Sequence, residues 1–119
     1  MRILFLDDDP NRYRVYRQSM ESSINIDWAK TVDEAIAYLQ THEYDLISLD
    51  HDLGGQQMVE SGPGTGYEVA CWIADNFHWK DQPQIHLHTL NPIGAKNMLA
   101  VLHEAYIIPF TYLIAQLNK

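Results

Sequence analysis

Two short acidic clusters, Asp7-Asp8-Asp9 and Asp50-His51-Asp52, each follow an apolar run that ends in leucine. Such runs, Arg2 to Leu6 and Tyr44 to Leu49, read as buried parallel strands. The acids therefore stand where strands end, and neighbouring ends would bring Asp7, Asp8, Asp50 and Asp52 close together. Uncompensated carboxylates at short range repel and raise one another's pKa. A hard divalent cation relieves that repulsion through oxygen ligands, so Mg²⁺ or Mn²⁺ suits the set, with Zn²⁺ the alternative. Asp9 precedes Pro10 and reads differently, as the N-cap of a helix that Pro10 opens.

Imidazoles lie near the same acids. His86 and His88 are two apart on one strand and share a face. His88 is nearer the strand's end, and His51 is adjacent to Asp50. Imidazole titrates near neutrality and suits acid–base work, which makes His51 and His88, with Asp50, the catalytic candidates. Strand alternation turns His51 away from Asp50 and Asp52 unless the chain is already bending there. Three further side chains could bind a phosphoryl oxygen. Thr89 and Asn91 stand at a helix start, where free N–H groups hold anions. Asn91 also suits the N-cap itself. Arg12 is the basic residue nearest the acids on the first helix; it could pair with Asp8, meet a phosphate, or lie on a solvated face. A different chemistry, zinc held by His51, His86, His88 and an aspartate, fits the His-x-His spacing.

The elements that must position these groups alternate along the chain. Ile24 to Ala29 is a second strand. Thr31 and Glu34 form a capping box ahead of a helix whose inner face is Ala35, Ile36 and Leu39. After the third strand, residues 54 to 66 hold five of the six glycines, Gly54, Gly55, Gly62, Gly64 and Gly66, and read as a long flexible loop. A helix from Tyr67 to Phe77, a strand from Gln84 to Thr89, and a helix capped by Asn91 with Met98, Leu99 and Leu102 inward come next. A short strand, Tyr106 to Ile108, and a last helix, Thr111 to Asn118, complete the series. The pattern βαβαβαβαβα specifies an α/β fold: one doubly wound, five-stranded parallel sheet with helices on both faces. In such sheets ligands bind beyond the carboxyl ends of the strands, where both acid clusters fall. Cys71, Trp28, Trp72 and Trp79 read as packed residues; His42, His78 and His103 read as surface residues.

Composition bounds the rest. The 119 residues fit one domain, 1–119. A formal net charge of −8 excludes a protein that grips duplex nucleic acid by its phosphates. One cysteine excludes an intrachain disulfide. The N-terminal apolar run is too short for a signal peptide, and no run approaches the roughly 18 residues of a membrane span. A cytoplasmic location is expected, with a small phosphate ester or RNA end as partner and no membrane contact.

Leu6-Asp7-Asp8-Asp9-Pro10 and Leu49-Asp50 resemble the paired acids and the phospho-accepting aspartate of bacterial response-regulator receiver domains. The resemblance implies the flavodoxin-like strand order 2-1-3-4-5, a cation on Asp7 and Asp8, a phospho-acceptor at Asp50 and the hydroxyl residue at Thr89. Receivers carry a lysine before the proline-aromatic pair that follows the fifth strand; here Ile108 holds that place, before Pro109-Phe110. Leu49-Asp50-His51-Asp52-Leu53-Gly54, together with His88-Thr89-Leu90-Asn91-Pro92-Ile93-Gly94 and Asn97-Met98, is similar to a divergent branch found in bacteria and phages, the cyclic-phosphate-processing receiver-like family. That resemblance implies a metal-assisted phosphoesterase acting on cyclic phosphates, nucleotide or RNA-end 2′,3′. Asp7, Asp8, Asp50 and Asp52 would be the metal's side chains. His51 and His88 would exchange protons with water and the leaving oxygen, and the glycine loop could close over the substrate. The alternative is a non-enzymatic receiver, phosphorylated on Asp50 or acting as a docking module.

Overall fold

Alternation within the first strand, β1 (Arg2–Leu6), divides the interior of the molecule in two. Ile3 and Phe5 point to one face of the sheet, where they pack with Tyr16, Leu46, Phe110 and Leu113. Leu4 and Leu6 point to the other, among Ala35, Leu39, Ile47, Leu49, Val69, Ile73, Leu87 and Met98. In this computed structural model, which describes residues 1–55, 57–77 and 82–117, helices α1 (Pro10–Gln18) and α5 (Phe110–Leu117) thus cover the first face. Helices α2 (Val32–Thr41), α3 (Gly66–Asn76) and α4 (Pro92–Val101) cover the second. His78, Trp79 and Asn118 lie outside the described residues.

The remaining strands are β2 (Asn25–Ala29), β3 (Leu46–Leu49), β4 (Gln84–Leu87) and β5 (Tyr106–Ile107). All pairings are parallel, as the alternating pattern predicts, in the order β2-β1-β3-β4-β5 that the resemblance to receivers implies. Register, more than order, decides which side chains meet at the strand ends. Leu6 pairs with Leu49, and Leu49 with Leu87. The next residue of each strand is therefore level with the other two: Asp7, Asp50 and His88. Backbone bonds carry the pairing one step past the strands, from the Asp50 N–H to the Leu6 carbonyl at 2.9 Å and from the His88 N–H to the Leu49 carbonyl at 3.0 Å.

Caps fix where the helices begin. Asp9 accepts the Asn11 N–H at 2.8 Å, and Pro10 takes the first helical position, where a missing N–H costs nothing. Thr31 accepts the Glu34 N–H at 3.2 Å, while Glu34 reaches back to the Lys30 N–H at 3.0 Å. Asn91 accepts the Gly94 N–H at 3.0 Å. The tryptophans differ from expectation in degree. Trp28 is half-buried, flat against Tyr13 at 4.3 Å with the Lys30 amine 4.5 Å from its ring, and Trp72 is packed at the rim of the larger core. Cys71 and His42 are half-buried and His103 is exposed. No helix among the described residues is long and apolar enough to cross a membrane.

Candidate functional site

A cavity of about 350 Å³ opens at the carboxyl end of the sheet. Asp8, Arg12, Asp50, Asp52, His88 and Thr89, all anticipated from sequence, line it, together with Asp9, Gly55, Met58, Leu90 and Phe110. Asp7 is fully buried against Arg12 and His88. Strand alternation explains who meets whom. Positions 3, 5 and 7 of the first strand share the α1/α5 face, as do 46, 48 and 50 of the third and 86 and 88 of the fourth.

Asp7 anchors the site. Its Oδ1 accepts the Asp9 N–H at 2.9 Å and Arg12 Nη2 at 2.9 Å; its Oδ2 accepts Arg12 Nε at 2.8 Å and His88 Nε2 at 2.9 Å. A carboxylate only accepts, so His88 Nε2 carries the proton there, and its Nδ1 pairs with the Ser48 hydroxyl at 2.8 Å. The ring is stacked on Phe5 at 4.7 Å and edge-on to Phe110 at 5.9 Å, which leaves it 1% exposed. Burial pushes the Asp7 carboxyl up, but the bonds from His88 and Arg12 together hold it below the ordinary carboxylate range.

Asp50 is in a different state. Burial pushes it up to about 6; the charges of His88 and Arg12 oppose that rise and the charge of Asp7 adds to it. Its Oδ1 accepts the His51 N–H at 2.9 Å and its Oδ2 faces Arg12 Nη2 at 3.4 Å. Asp52 is also partly desolvated, which raises its carboxyl, yet hydrogen bonds from His51, Asn91 and the Met58 N–H bring it below the usual range. Two carboxylates of opposite tendency therefore face one cavity, the pattern by which a site separates a proton carrier from a fixed charge.

His51 and Asn91 are kept out of the cavity. Alternation continues through residue 51, so the His51 ring turns to the α3/α4 side. There Nδ1 donates to Asp52 Oδ1 at 2.8 Å, and Nε2 accepts the Ser61 hydroxyl at 2.8 Å. The first turn of α4 presses on the ring so closely that a Cβ at Gly94 would overlap it. A Cβ at Gly66 would overlap the Asp50 carbonyl, which pins the start of α3 to the same corner. Asn91 caps α4 and donates its amide to Asp52 Oδ1 at 3.1 Å and to the Val59 carbonyl at 3.2 Å, so it ties a loop down and does not face a ligand. Expecting His51 to exchange protons with a substrate, and Asn91 to bind one, is corrected on these grounds: both side chains are buried and committed elsewhere.

A ligand atom from each of Asp7, Asp50 and His88 lies within 4.8 Å of the others, close enough for one ion. Asp7 and His88, however, direct those atoms at each other and at Arg12 and Ser48. Asp8 and Asp50 retain oxygen lone pairs towards the cavity, Asp8 with one Oδ2 contact from the Gly55 N–H at 2.6 Å. An oxygen-only pair of this kind fits Mg²⁺ or Mn²⁺. Zinc held by three histidines does not fit: no group joining His51, His86 and His88 occurs among the described residues. His86 is half-buried with its Nδ1 unpartnered, and burial lowers its pKa.

Sequence reasoning missed Ser48, which fixes His88, and Ser61, which holds the loop; Phe110 and Asn97 stood only within sequence motifs, without their contacts to His88 and Ser61. Ser48 had a signal, being two residues before Asp50 on a strand. Ser61 had none, because the path of a glycine-rich loop is not periodic.

The sequence model of a family described as the cyclic-phosphate processing receiver domain matches residues 2–104. No curated protein matches the chain at a significant level. Among solved structures, the fold is similar to a CheY-like response regulator receiver domain protein from Methanospirillum hungatei JF-1, at 19% identity and TM-score 0.70, covering 98% of this chain and 90% of that one. It is similar to the response regulator TrrA from Thermotoga maritima in complex with Mg²⁺-BeF, at 26% identity and TM-score 0.66, covering 98% and 97%. A signal receiver domain of an HD domain-containing protein from Pseudomonas fluorescens Pf-5 gives 16% identity and TM-score 0.76, covering 98% and 86%.

Proposed function

The chain belongs to the cyclic-phosphate processing receiver domain family, and from that membership we propose that its cavity takes a cyclic phosphate ester, on a nucleotide or at an RNA end, and opens the ring by hydrolysis. The observation that carries this reading is the convergence of Arg12, Asp50 and Thr89 on one cavity whose rim also holds the exposed apolar side chains Met58 and Leu90. The polar groups suit a phosphoryl centre and the apolar rim suits the sugar or base attached to it.

Thr89 accepts the Asn91 N–H at 3.1 Å, which leaves its hydroxyl proton free for a non-bridging phosphoryl oxygen. Arg12, held by Asp7, adds a charged donor beside it. Asp50 is the proton carrier. Its carboxylate takes a proton from the attacking water as the water oxygen bonds to phosphorus. The bond from phosphorus to one ribose oxygen breaks, and the proton passes from Asp50 to that oxygen, giving a phosphomonoester and a free hydroxyl. A carboxyl displaced towards neutrality is suited to both transfers. Asp52 and Asp7 stay ionised, and His88 fixes Asp7 rather than reacting. A divalent ion held by Asp8, with Asp50 released from it to carry the proton, would add positive charge for a phosphoryl oxygen in this acidic mouth.

Purified protein incubated with 2′,3′-cyclic nucleotides and with RNA ending in a 2′,3′-cyclic phosphate should release the monoester, with Mg²⁺ or Mn²⁺ present and in EDTA as separate arms. No turnover in any arm, or turnover undiminished in Asp50→Asn, overturns the reading.

A second reading has its own support, the position of Asp50 at the end of β3 in a receiver fold. There Asp50 would accept a phosphoryl group and keep it. A stable aspartyl phosphate on Asp50 after acetyl phosphate treatment, with no cyclic ester hydrolysed, selects this second reading.

A further inference from the structure

Arg12 is the sole lysine or arginine lining the cavity among the described residues, and its guanidinium reaches four carboxylates at once. It grips Asp7 with two bonds, 2.8 and 2.9 Å, and stands 3.3 Å from Asp9, 3.4 Å from Asp50 and 3.7 Å from Asp8. The two Asp7 bonds form the planar fork that arginine makes with a carboxylate and lysine does not. Each Asp7 oxygen already accepts a second donor, so this carboxylate has no room for a metal. Asp50 Oδ1 is taken by the His51 N–H, and the oxygen left over, Oδ2, is the one the guanidinium faces. Asp8 and Asp50, which both line the cavity, are thus within reach of a cation that belongs to the chain.

The resemblance to receivers makes this arrangement informative. Where they carry a lysine after the fifth strand, this chain has Ile108, packed half-buried against the smaller core. Positive charge enters the pocket instead from α1, on the opposite flank of the acids.

We propose that the Arg12 guanidinium is the resident cation of this site, neutralising Asp7, Asp8 and Asp50, and that a divalent ion reaches Asp8 and Asp50 only by displacing it from them. An ion close enough to ligate Asp50 Oδ2 would sit within a few ångströms of the guanidinium, where like charges repel strongly in a partly desolvated pocket. The guanidinium can release Asp50 and Asp8 while its fork on Asp7 stays closed, because Asp7 is fixed from behind by His88 and the Asp9 N–H. The resting site has this character whether or not the pocket hydrolyses a cyclic ester.

The test is calorimetric titration of Mn²⁺ into EDTA-stripped full-length protein, wild type and Arg12→Gln. Wild type should bind weakly, and Arg12→Gln should bind one ion about tenfold or more tightly, since a repelling charge is removed. Equal or weaker binding by a folded Arg12→Gln overturns the proposal. If that variant does not fold, the wild type alone decides. During a Mg²⁺ titration monitored by NMR, the Gly55 amide, which donates to Asp8, reports ligation. The Arg12 guanidinium resonances should move along the same saturation curve. A Gly55 shift with the Arg12 signals unmoved overturns the proposal.

Discussion

His88 and His51 are alike in most of what is usually measured about a buried histidine. Each follows a central strand, each side chain is 1% exposed, and each has a ring nitrogen within 2.9 Å of an aspartate. Their surroundings make them different. His88 is on the α1/α5 face, where the carboxylate it touches also grips a guanidinium and stands beside Asp50. His51 is on the α3/α4 face, where its aspartate takes the Met58 N–H at 2.7 Å and its second nitrogen takes Ser61. The first pair organises charge around a cavity. The second fastens a glycine-rich loop to the body of the molecule. A histidine–aspartate pair therefore says little by itself; what the carboxylate's other oxygen holds decides what the pair does.

If that division is right, changes on the cavity side should remove turnover without unfolding the protein, and changes on the loop side should do the reverse. The largest expected effect is on the cavity side. Asp50→Asn should lower kcat for cyclic ester hydrolysis by about 10²- to 10⁴-fold, the range for loss of a positioned proton carrier. The same variant should be more stable than wild type. The folded pKa of Asp50, about 6, lies above its ordinary 3.8, so the native state holds this proton more tightly than the unfolded chain. That contribution is complete below the ordinary value and is lost as pH rises through 6. At pH 7 in EDTA, Asn should therefore raise the unfolding free energy by about 1–3 kcal/mol, read from urea titrations. Loss of both turnover and stability would break the comparison.

The loop side comes next. Gly94→Val places a side chain in the space of the His51 ring and should cost about 2–3 kcal/mol. Gly62→Ala, in the same loop system but with open space at its Cβ and no left-handed φ, should stay within about 0.5 kcal/mol of wild type. Similar losses in both would show that glycine content, rather than the packed ring, governs this region. His51→Asn removes the bond to Ser61 and should cost about 2 kcal/mol. Hydrogen exchange should quicken at Met58, whose amide depends on Asp52, while kcat stays within about threefold, since the ring does not reach the cavity. A kcat reduced as far as in Asp50→Asn would return His51 to the chemistry.

Much of this arrangement was legible in the residues. The parallel α/β sheet followed from alternating strand and helix patterns, and the location of the site from acids at two strand ends. Strand alternation also gave the choice about His51, by turning it from Asp50, though it left open whether the chain bends. Two things were not legible. Arg12 had three readings, because the rotamer of a long side chain depends on what it meets. Asn91 and Ser61 act through a loop whose course is set by bonds to Asp8, Asp52 and His51, distant in sequence and without period. A helix face or strand face repeats and can be read; a loop's partners do not.

The smallest expected effect falls between the two regions and is the most discriminating. Ser48 is fully buried, and its hydroxyl serves Nδ1 of His88 from the rung below the acids. Ser48→Ala removes one hydrogen bond and leaves a buried ring nitrogen without a partner, a loss of about 1–2 kcal/mol. Were His88 only a packed ring between Phe5 and Phe110, the cost would end there. If it instead holds Asp7, which holds Arg12, the loosened ring should also weaken binding of the cyclic ester, raising KM with little change in kcat because Asp50 is untouched. Stability and steady-state kinetics on the one variant separate these outcomes. A stability loss with KM unchanged would place His88 with His51, among residues that serve the fold alone.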